Sequence, residues 1–272
     1  MKRMLLTLAL LVPALSFAQD MEFGGRASVE LDYKIKKGLH LTFEEEIRAD
    51  ENFSELNRLQ TTVGLTYKPI SWLKLGVGYT LINPFKTGKE LDDGTLYTGF
   101  WSPRHRVYAD VTGIYKLGQF QFSLRERLQF THNTDADLNI YQSNPNALAL
   151  KSRVGVKYKG WSMVEPSLSF EVRTALNDPW GTTSGSQQTN KSGKTYYAYT
   201  PAGYTHVYNN RYRVNLGADI NITKQHTIKP YIMLDALGDY EIDTNGEGTR
   251  LFSAGYNDRF MATVGIGYTF SF

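Results

Sequence analysis

Basic residues two positions apart are the clearest candidates for chemistry in this 272-residue chain. The pairs that contain arginine are Arg104/Arg106, Arg125/Arg127, Lys151/Arg153 and Arg211/Arg213. Side chains two positions apart point to the same face of an extended strand, so each pair would present two positive charges on one face. Because a guanidinium is a planar fork of donors that matches carboxylate and phosphate groups, these residues are candidates for binding or guiding an anion.

The four pairs lie in segments where apolar and polar residues alternate, which is the pattern of a β-strand, and helical periodicity is almost missing. Most segments have 11–14 residues, which exceeds the ~5–6 residues of a soluble strand and suffices for the ~9–11 that cross a bilayer. The eleven segments are Gly25–Ile35, Leu39–Ala49, Asn57–Tyr67, Leu73–Leu81, Arg104–Lys116, Gln119–Thr131, Asn146–Tyr158, Val164–Leu176, Arg211–Ile222, Ile228–Tyr240 and Arg259–Phe272.

The connections between these segments alternate between short and long. The short ones are Lys36–Gly38, Pro69–Ser71, Leu117–Gly118, Lys159–Trp161 and Thr223–Gln225, and the long ones include Asn83–Trp101, His132–Pro145, Asn177–Asn209 and Glu241–Asn257. Short periplasmic turns and long outer loops are typical of outer-membrane barrels. The sequence therefore predicts an all-β, transmembrane, antiparallel outer-membrane β-barrel.

The number of strands follows less directly from the sequence. Single-chain bacterial barrels have even strand numbers, so the eleven segments favour about 12 strands, within a range of 10–12. With eleven, the first and last segments would run in the same direction. Either one strand is missing from the count, or Gly25–Ile35 is not an ordinary wall strand.

Both ends of the chain indicate export and membrane assembly. The opening "MKRMLLTLALLVPALSFAQD" has a charged start, an apolar stretch and a small-residue cleavage site, which predicts a signal peptide over residues 1–18 and one barrel domain over residues 19–272. At the other end, Tyr268, Phe270 and Phe272 resemble the assembly signal of outer-membrane barrels. That resemblance implies the cell outer membrane as location, its lipid as surroundings and the barrel-assembly machinery as a partner.

Composition excludes other classes of function. The chain has no cysteine, and its net charge of +3 falls to +1 when Lys2 and Arg3 leave with the signal peptide. That balance gives no reason to propose nucleic acid as a partner. After the signal peptide there is no apolar run long enough for a transmembrane helix.

The polar faces of the segments should line the lumen, because lipid cannot solvate charges. Twelve of the 14 arginines fall on these faces: Arg26, Arg48, Arg58, Arg104, Arg106, Arg125, Arg127, Arg153, Arg173, Arg211, Arg213 and Arg259. Ten acids share them: Glu30, Asp32, Glu44, Glu46, Asp110, Glu165, Glu171, Asp219, Asp235 and Asp239. Either these charges neutralise each other and stiffen a small barrel, at ~0.2–1 kcal/mol per cross-strand pair, or surplus arginine guides an anionic solute.

Two acids break the pattern. Glu45 and Glu126 fall on the apolar parity near mid-strand, at similar distances from a short turn. A local bulge that shifts the phase would explain them, and otherwise they face a protein partner or an oligomer contact.

An enzymatic site finds little support. Barrel phospholipases and lipid A deacylases carry a serine two residues after a histidine, which puts base and nucleophile on one face. None of His40, His105, His132, His206 and His226 has that serine, although Thr42 and Thr134 follow two of them. No Asp–His pair has useful spacing, so we predict no catalytic residue, metal site or cofactor, with His206 as the candidate for a hydrolase alternative.

The mature chain resembles an uncharacterised outer-membrane barrel family known only as a domain of unknown function. The stretches that carry the resemblance are "LHLTFEEEIRADENFSELNRLQTTVGLTY", "PRHRVYADVTGIYK", "SLRERLQFTH" and "NALALKSRVGVKYKG", from Leu39 to Gly160. The family implies a fold and no activity. The predicted size and arginine-lined lumen also resemble small monomeric porins for acidic oligosaccharides.

The function expected from these features is a porin-like channel for small hydrophilic solutes, with anions as the candidate class. The alternative is a closed barrel that serves as a structural or assembly partner, with Asn177–Asn209 as its contact surface.

Overall fold

The computed structural model describes residues 21–50, 53, 55–86, 88–90, 96–135 and 138–272. The predicted signal peptide lies outside this range. Within the described residues, no helix is long and apolar enough to cross a membrane. The strands are β1 (Met21–Lys36), β2 (Leu39–Asp50), β3 (Glu55–Ile70), β4 (Leu73–Lys86), β5 (Lys89–Glu90), β6 (Leu96–Tyr97), β7 (Phe100–Trp101), β8 (Arg104–Leu117), β9 (Phe120–Asn133), β10 (Asn146–Tyr158), β11 (Val164–Asp178), β12 (Gly181–Thr189), β13 (Thr195–Pro201), β14 (His206–Asn221), β15 (His226–Thr244) and β16 (Arg250–Ser271).

Eleven of these strands form a closed barrel wall in the order β1-β2-β3-β4-β8-β9-β10-β11-β14-β15-β16, with β1 hydrogen-bonded to β16. Each predicted segment is one of these wall strands, so the predicted all-β outer-membrane barrel is confirmed. The strand number, eleven, lies inside the predicted range of 10–12. The short turns share one end of the barrel, which we call the periplasmic end because outer-membrane barrels place their short turns there.

The barrel closes through a parallel pair of strands. The ladder between β1 and β16 runs in parallel from Met21↔Phe260 to Asp32↔Ser271, while the other wall neighbours are antiparallel. An even strand number is needed only when every neighbour is antiparallel, so the expectation of 12 strands does not hold. A parallel ladder still pairs the backbone N–H and C=O groups, as a membrane-spanning wall requires.

The two faces of the wall follow the predicted alternation. Large apolar side chains such as Phe122, Leu124 and Val264 are exposed on the outside. On the inside, Gln129, Glu171 and Asp235 are buried although they are polar. The interior of the barrel is therefore a polar lumen rather than an apolar core.

Parts of the long connections carry structure that alternation did not predict. The β12–β13 hairpin lies within Asn177–Asn209, and β13 pairs with β16 through Tyr197↔Leu251, beyond the point where β1 begins. Tyr199, Ile242 and Leu251 form a small buried apolar cluster there. Strands β15 and β16 also extend well past their predicted segments, because backbone pairing continues where side-chain alternation weakens.

Glu45 and Glu126 point outward without a bulge. The pairing of Glu45 with Thr61 and of Glu126 with Ser152 belongs to uninterrupted stretches of register. The bulge hypothesis is therefore wrong. Each carboxylate instead accepts a hydrogen bond from the neighbouring strand, from Thr61 Oγ1 at 3.0 Å and from Ser152 Oγ at 2.6 Å.

Candidate functional site in the barrel lumen

Strand register joins most of the predicted basic pairs into one wall of the lumen. Arg125 pairs with Arg153, and Arg127 pairs with Lys151, across β9 and β10. The pairing continues through β11 to β14, where Arg173 meets both Lys151 and Arg211. Residues that are far apart in the chain thereby form a continuous positive surface, the basic wall, on β9, β10, β11 and β14.

Part of this positive surface is neutralised by buried carboxylates. Glu171 accepts hydrogen bonds from Arg125 Nη2 at 3.0 Å and from Arg211 Nη2 at 3.2 Å. Arg127 donates to Asp110 Oδ2 at 2.9 and 2.5 Å. The carboxylate side chains of Asp110 and Glu171 are each only 6% exposed, so these are desolvated pairs.

Arg213 completes this group with two bonds to Asp235, from Nε at 2.6 Å and from Nη2 at 2.7 Å. We call Arg125, Arg127, Arg211 and Arg213 the paired belt. Half of the predicted solute-facing residues thus take the crosslinking role that the neutralised-lumen interpretation expects.

A second group of arginines has no such compensation. In the described part of the chain, Arg104, Arg106 and Arg173 form no ion pair within 4.0 Å, and we call them the uncompensated arginines. Arg106 Nε donates only to the hydroxyl of Thr131, at 3.0 Å. The Nε atoms of Arg104 and Arg173 are buried without a hydrogen-bond partner in the structure.

The positive charges of these residues act on one another. Arg106 is exposed to the repulsive fields of Arg173 and Arg104, and also to those of Arg48 and Arg58 on β2 and β3. Since β8 begins at Arg104, this concentration of charge lies towards the end of the barrel with the long loops. A mobile anion in the lumen would be attracted to it.

The opposite wall of the lumen carries a cluster of four acids, with Arg26 and Arg48 beside them on the same two strands. Asp32 and Glu30 on β1 and Glu44 and Glu46 on β2 form this cluster, which we call the acidic wall. Strand β9 is the fifth strand after β1 around the ring of eleven, so the acidic and basic walls face each other across the lumen. Some acids are paired: Glu46 accepts from Arg48 Nε at 2.5 Å, and Glu30 accepts from Lys229 Nζ at 3.1 Å.

Two lumen tyrosines lie flat against the wall because glycines make room for them. A Cβ atom added at Gly78 would lie 2.4 Å from Tyr108 Oη, and one added at Gly265 would lie 2.1 Å from the Tyr231 ring. The Tyr108 ring also stacks under Arg127, whose Cζ is 3.9 Å from the ring centroid. Without these glycines the rings would have to turn into the lumen.

The histidines show one arrangement that sequence reasoning missed. His40 Nδ1 lies 3.0 Å from Asp32 Oδ1 at the periplasmic end. The two residues lie on one face of the first hairpin, on either side of its short turn, which is the signal that could have revealed them. The search of the sequence concerned an Asp–His couple at the outer rim of the barrel, and this contact lies at the opposite end.

No nucleophile accompanies that pair. Across the described ranges, no histidine ring nitrogen is hydrogen-bonded to a serine or threonine hydroxyl. His206 instead packs among aromatic rings, with centroids 4.5 Å from Trp180, 4.5 Å from Tyr208 and 4.7 Å from Tyr240. Its surroundings are those of a packed ring rather than a base held against a nucleophile.

The aromatic residues of the C-terminus lie at the parallel seam. The Phe272 N–H donates to Asp32 O at 3.0 Å, and the Phe272 ring lies 5.4 Å from that of Tyr33. Tyr268 Oη lies 2.6 Å from His226 Nδ1 on β15. The predicted assembly residues therefore hold the last strand to both of its neighbours.

Comparisons with known proteins place the chain in a family without an assigned activity. No curated protein matches the sequence. Among solved structures, it is similar to OmpT (in-vitro folded), an outer membrane protein of Vibrio cholerae, at 11% identity over 84% of each chain with a TM-score of 0.33. The model of a family described as "Protein of unknown function (DUF2490)" matches residues 27–202, which is more than half of the sequence and includes the stretches that carried the resemblance. The chain therefore belongs to the DUF2490 family.

Proposed function

We propose that this barrel is a porin-like channel of the outer membrane that passes small hydrophilic solutes and favours anions. The observation that carries the proposal is the absence of carboxylate partners for Arg104, Arg106 and Arg173 among the described residues. A cleft lined by charges of one sign between low-dielectric walls concentrates counter-ions, so these arginines should draw anions into the lumen.

The shape of the lumen supports the same function. Tyr108 and Tyr231 fold onto glycines instead of projecting inward, which leaves space along the axis of the barrel. Binding in a channel must also be weak enough for the solute to leave. The acidic wall opposite the basic wall supplies that balance.

Single-channel recording of the refolded chain in a planar bilayer tests the proposal. With a salt gradient across the bilayer, the reversal potential should indicate preference for the anion, and the preference should weaken at high salt as charges are screened. The variant Arg104→Gln/Arg106→Gln should lose most of the preference. The matched control is Lys224→Gln, which removes a positive charge from the exposed short turn between β14 and β15.

A wild-type chain that inserts without conductance would overturn the channel proposal. It would favour the second candidate, a closed barrel stiffened by the paired belt, which the buried Arg–carboxylate bonds support. That barrel would present the β12–β13 hairpin as its contact surface. A hydrolase has no comparable support, and any lipase or protease activity that survived His206→Ala would remove its best catalytic candidate.

A further inference from the structure

A cavity of about 340 Å³ occupies the periplasmic half of the lumen, between β3, β4, β8, β9 and β10. Five basic side chains line it against one acid: Lys74, Arg125, Arg127, Arg153 and Lys157 against Asp110. The rest of the lining is mostly polar and uncharged, with hydroxyl and amide groups that include Thr112 and Ser123. This composition is unlike an apolar ligand pocket and unlike a neutral water-filled channel.

Three of the five cations already have partners. Arg125 is bonded to Glu171, Arg127 to Asp110, and Lys157 to Asp219. In the part of the chain that the structure describes, Lys74 and Arg153 form no ion pair. They are therefore the cations of this cavity that can bind a further negative charge.

Register places these two cations at the ends of one row across the cavity. Lys74 pairs with Thr112, Thr112 pairs with Arg125, and Arg125 pairs with Arg153. Three strand spacings of ~4.8 Å separate the ends of the row along the curved wall. Two long flexible side chains can reach inward from those ends to the same small solute.

We propose that this cavity is a binding site for a small hydroxylated carboxylate. This inference rests on the proposed function, because the solute must be able to enter the lumen. The guanidinium of Arg153 matches a carboxylate, and the neighbouring hydroxyls and amides match the hydroxyl groups of the solute. The volume is at the lower end of the roughly 300–1,000 Å³ of ligand cavities. A single small molecule fits it, and a polymer does not.

The charge of the cavity favours a monoanion. Lys74 also experiences the fields of Asp110, Glu30 and Asp32, so its own charge is partly compensated. Arg153 lies opposite Glu171 and experiences the fields of Glu171 and Asp110 as well as those of Arg127 and Arg213. It is the principal anchor because its guanidinium can bind a carboxylate through two parallel hydrogen bonds. Two cations that are each partly compensated match a single carboxylate better than a dianionic phosphate.

Isothermal titration calorimetry on the refolded full chain in detergent micelles tests the site with gluconate as the probe. Gluconate should bind at least tenfold more tightly than glucose, which lacks the charge, and than acetate, which lacks the hydroxyls. Arg153→Gln should weaken gluconate binding at least tenfold, and Lys74→Gln about threefold. Lys224→Gln is the matched control, since Lys224 lies in a turn at the same end and outside the cavity.

The outcomes separate this site from the channel. Glucose or acetate binding as tightly as gluconate would overturn the assigned chemistry, and tighter binding of glycerol 3-phosphate would overturn the choice of a carboxylate. An equal loss in Lys224→Gln would show non-specific attraction and overturn the site. Conductance without gluconate binding overturns the site and leaves the channel intact, whereas binding without conductance supports the site and overturns the channel.

Discussion

The paired belt and the uncompensated arginines have the same chemistry and nearly the same spacing in the sequence, yet they have different surroundings. Arg127 and Arg213 lie opposite Asp110 and Asp235 on the next strand. Arg106, in contrast, lies between Thr80 and Thr131. For these three arginines the cross-strand neighbour decides whether the side chain forms an ion pair, whereas Arg125 and Arg211 reach Glu171 from positions that are not directly opposite it.

This difference predicts separate effects on stability and on selectivity. Arginines in buried pairs should matter mainly for folding, because breaking a pair leaves a desolvated charge behind. Arginines without acids should matter mainly for the ions that pass, because their charge is not cancelled.

The largest effect is expected at Glu171. Replacing it with Gln removes the negative charge that compensates both Arg125 and Arg211 and leaves these cations buried beside further basic residues. We expect the free energy of unfolding to fall by about 3–5 kcal/mol, the usual cost of removing one partner of a buried ion pair. Urea unfolding in vesicles, followed by tryptophan fluorescence, measures it.

The control for that change is Glu165→Gln. Glu165 also contacts basic side chains, Lys157 and Lys159, but its side chain is 21% exposed and lies near the periplasmic turns. Its loss should cost less than about 1 kcal/mol. Equal losses at the two positions would show that burial does not distinguish the paired belt.

The next largest effect is expected when one arginine of each group is replaced and the two variants are compared in stability and anion preference. Arg127→Gln should lower stability by about 1.5–3 kcal/mol, because Asp110 loses a charged hydrogen-bond partner, and should leave most of the anion preference in place. Arg106→Gln should do the reverse, with a small change in stability and a clear shift in reversal potential. If the two variants behave alike in both measurements, register does not divide the lumen arginines into two roles.

How far the sequence alone could predict this division depends on the distance over which each feature acts. Strand positions and faces follow from a local period of two, so segments such as Gln119–Thr131 could be assigned directly. The partner of Arg125 could not be predicted this way, because Glu171 lies 46 residues away and the contact crosses an intervening strand. The cavity between Lys74 and Arg153 likewise depends on the register of four strands.

The β12–β13 hairpin shows a second limit. Its strand Gly181–Thr189 is made of glycine, threonine, serine and glutamine, so no apolar face marks it as a strand. It forms through backbone pairing and through contacts such as that of Tyr199 with Ile242 and Leu251. The parallel closure was hidden for a related reason, since alternation indicates that a strand exists and not which neighbour it takes.

A smaller effect is expected where a glycine keeps the lumen clear. Gly78→Ala would place a Cβ atom 2.4 Å from Tyr108 Oη, so the ring must leave the wall and move towards the axis. We expect single-channel conductance to fall, with a stability loss of about 1 kcal/mol for a strained rotamer.

Two further variants make that prediction specific. Gly113→Ala is the control, because a Cβ atom there would have only ordinary contact, 3.9 Å from Leu124 O. The double variant Gly78→Ala/Tyr108→Ala should recover conductance, since the displaced ring is gone. Unchanged conductance in Gly78→Ala would mean that the ring can move without narrowing the path.

The smallest effect is expected on the outer face, at Glu126, where a carboxylate bonded to Ser152 lies on the face that should contact lipid. If lipid surrounds it, Glu126→Leu should raise the free energy of unfolding by less than about 2 kcal/mol, because an acid on that face costs less than the ~2–4 kcal/mol of a basic residue. Glu126→Gln, which removes the charge and keeps the hydrogen bond, should give part of that gain. A loss of stability in Glu126→Leu, together with a change in the mass of the detergent-solubilised particle, would instead mean that a protein surface covers this carboxylate. The same pair of substitutions at Glu45, which accepts from Thr61 on another part of the wall, would then show whether one face of the barrel or both are covered.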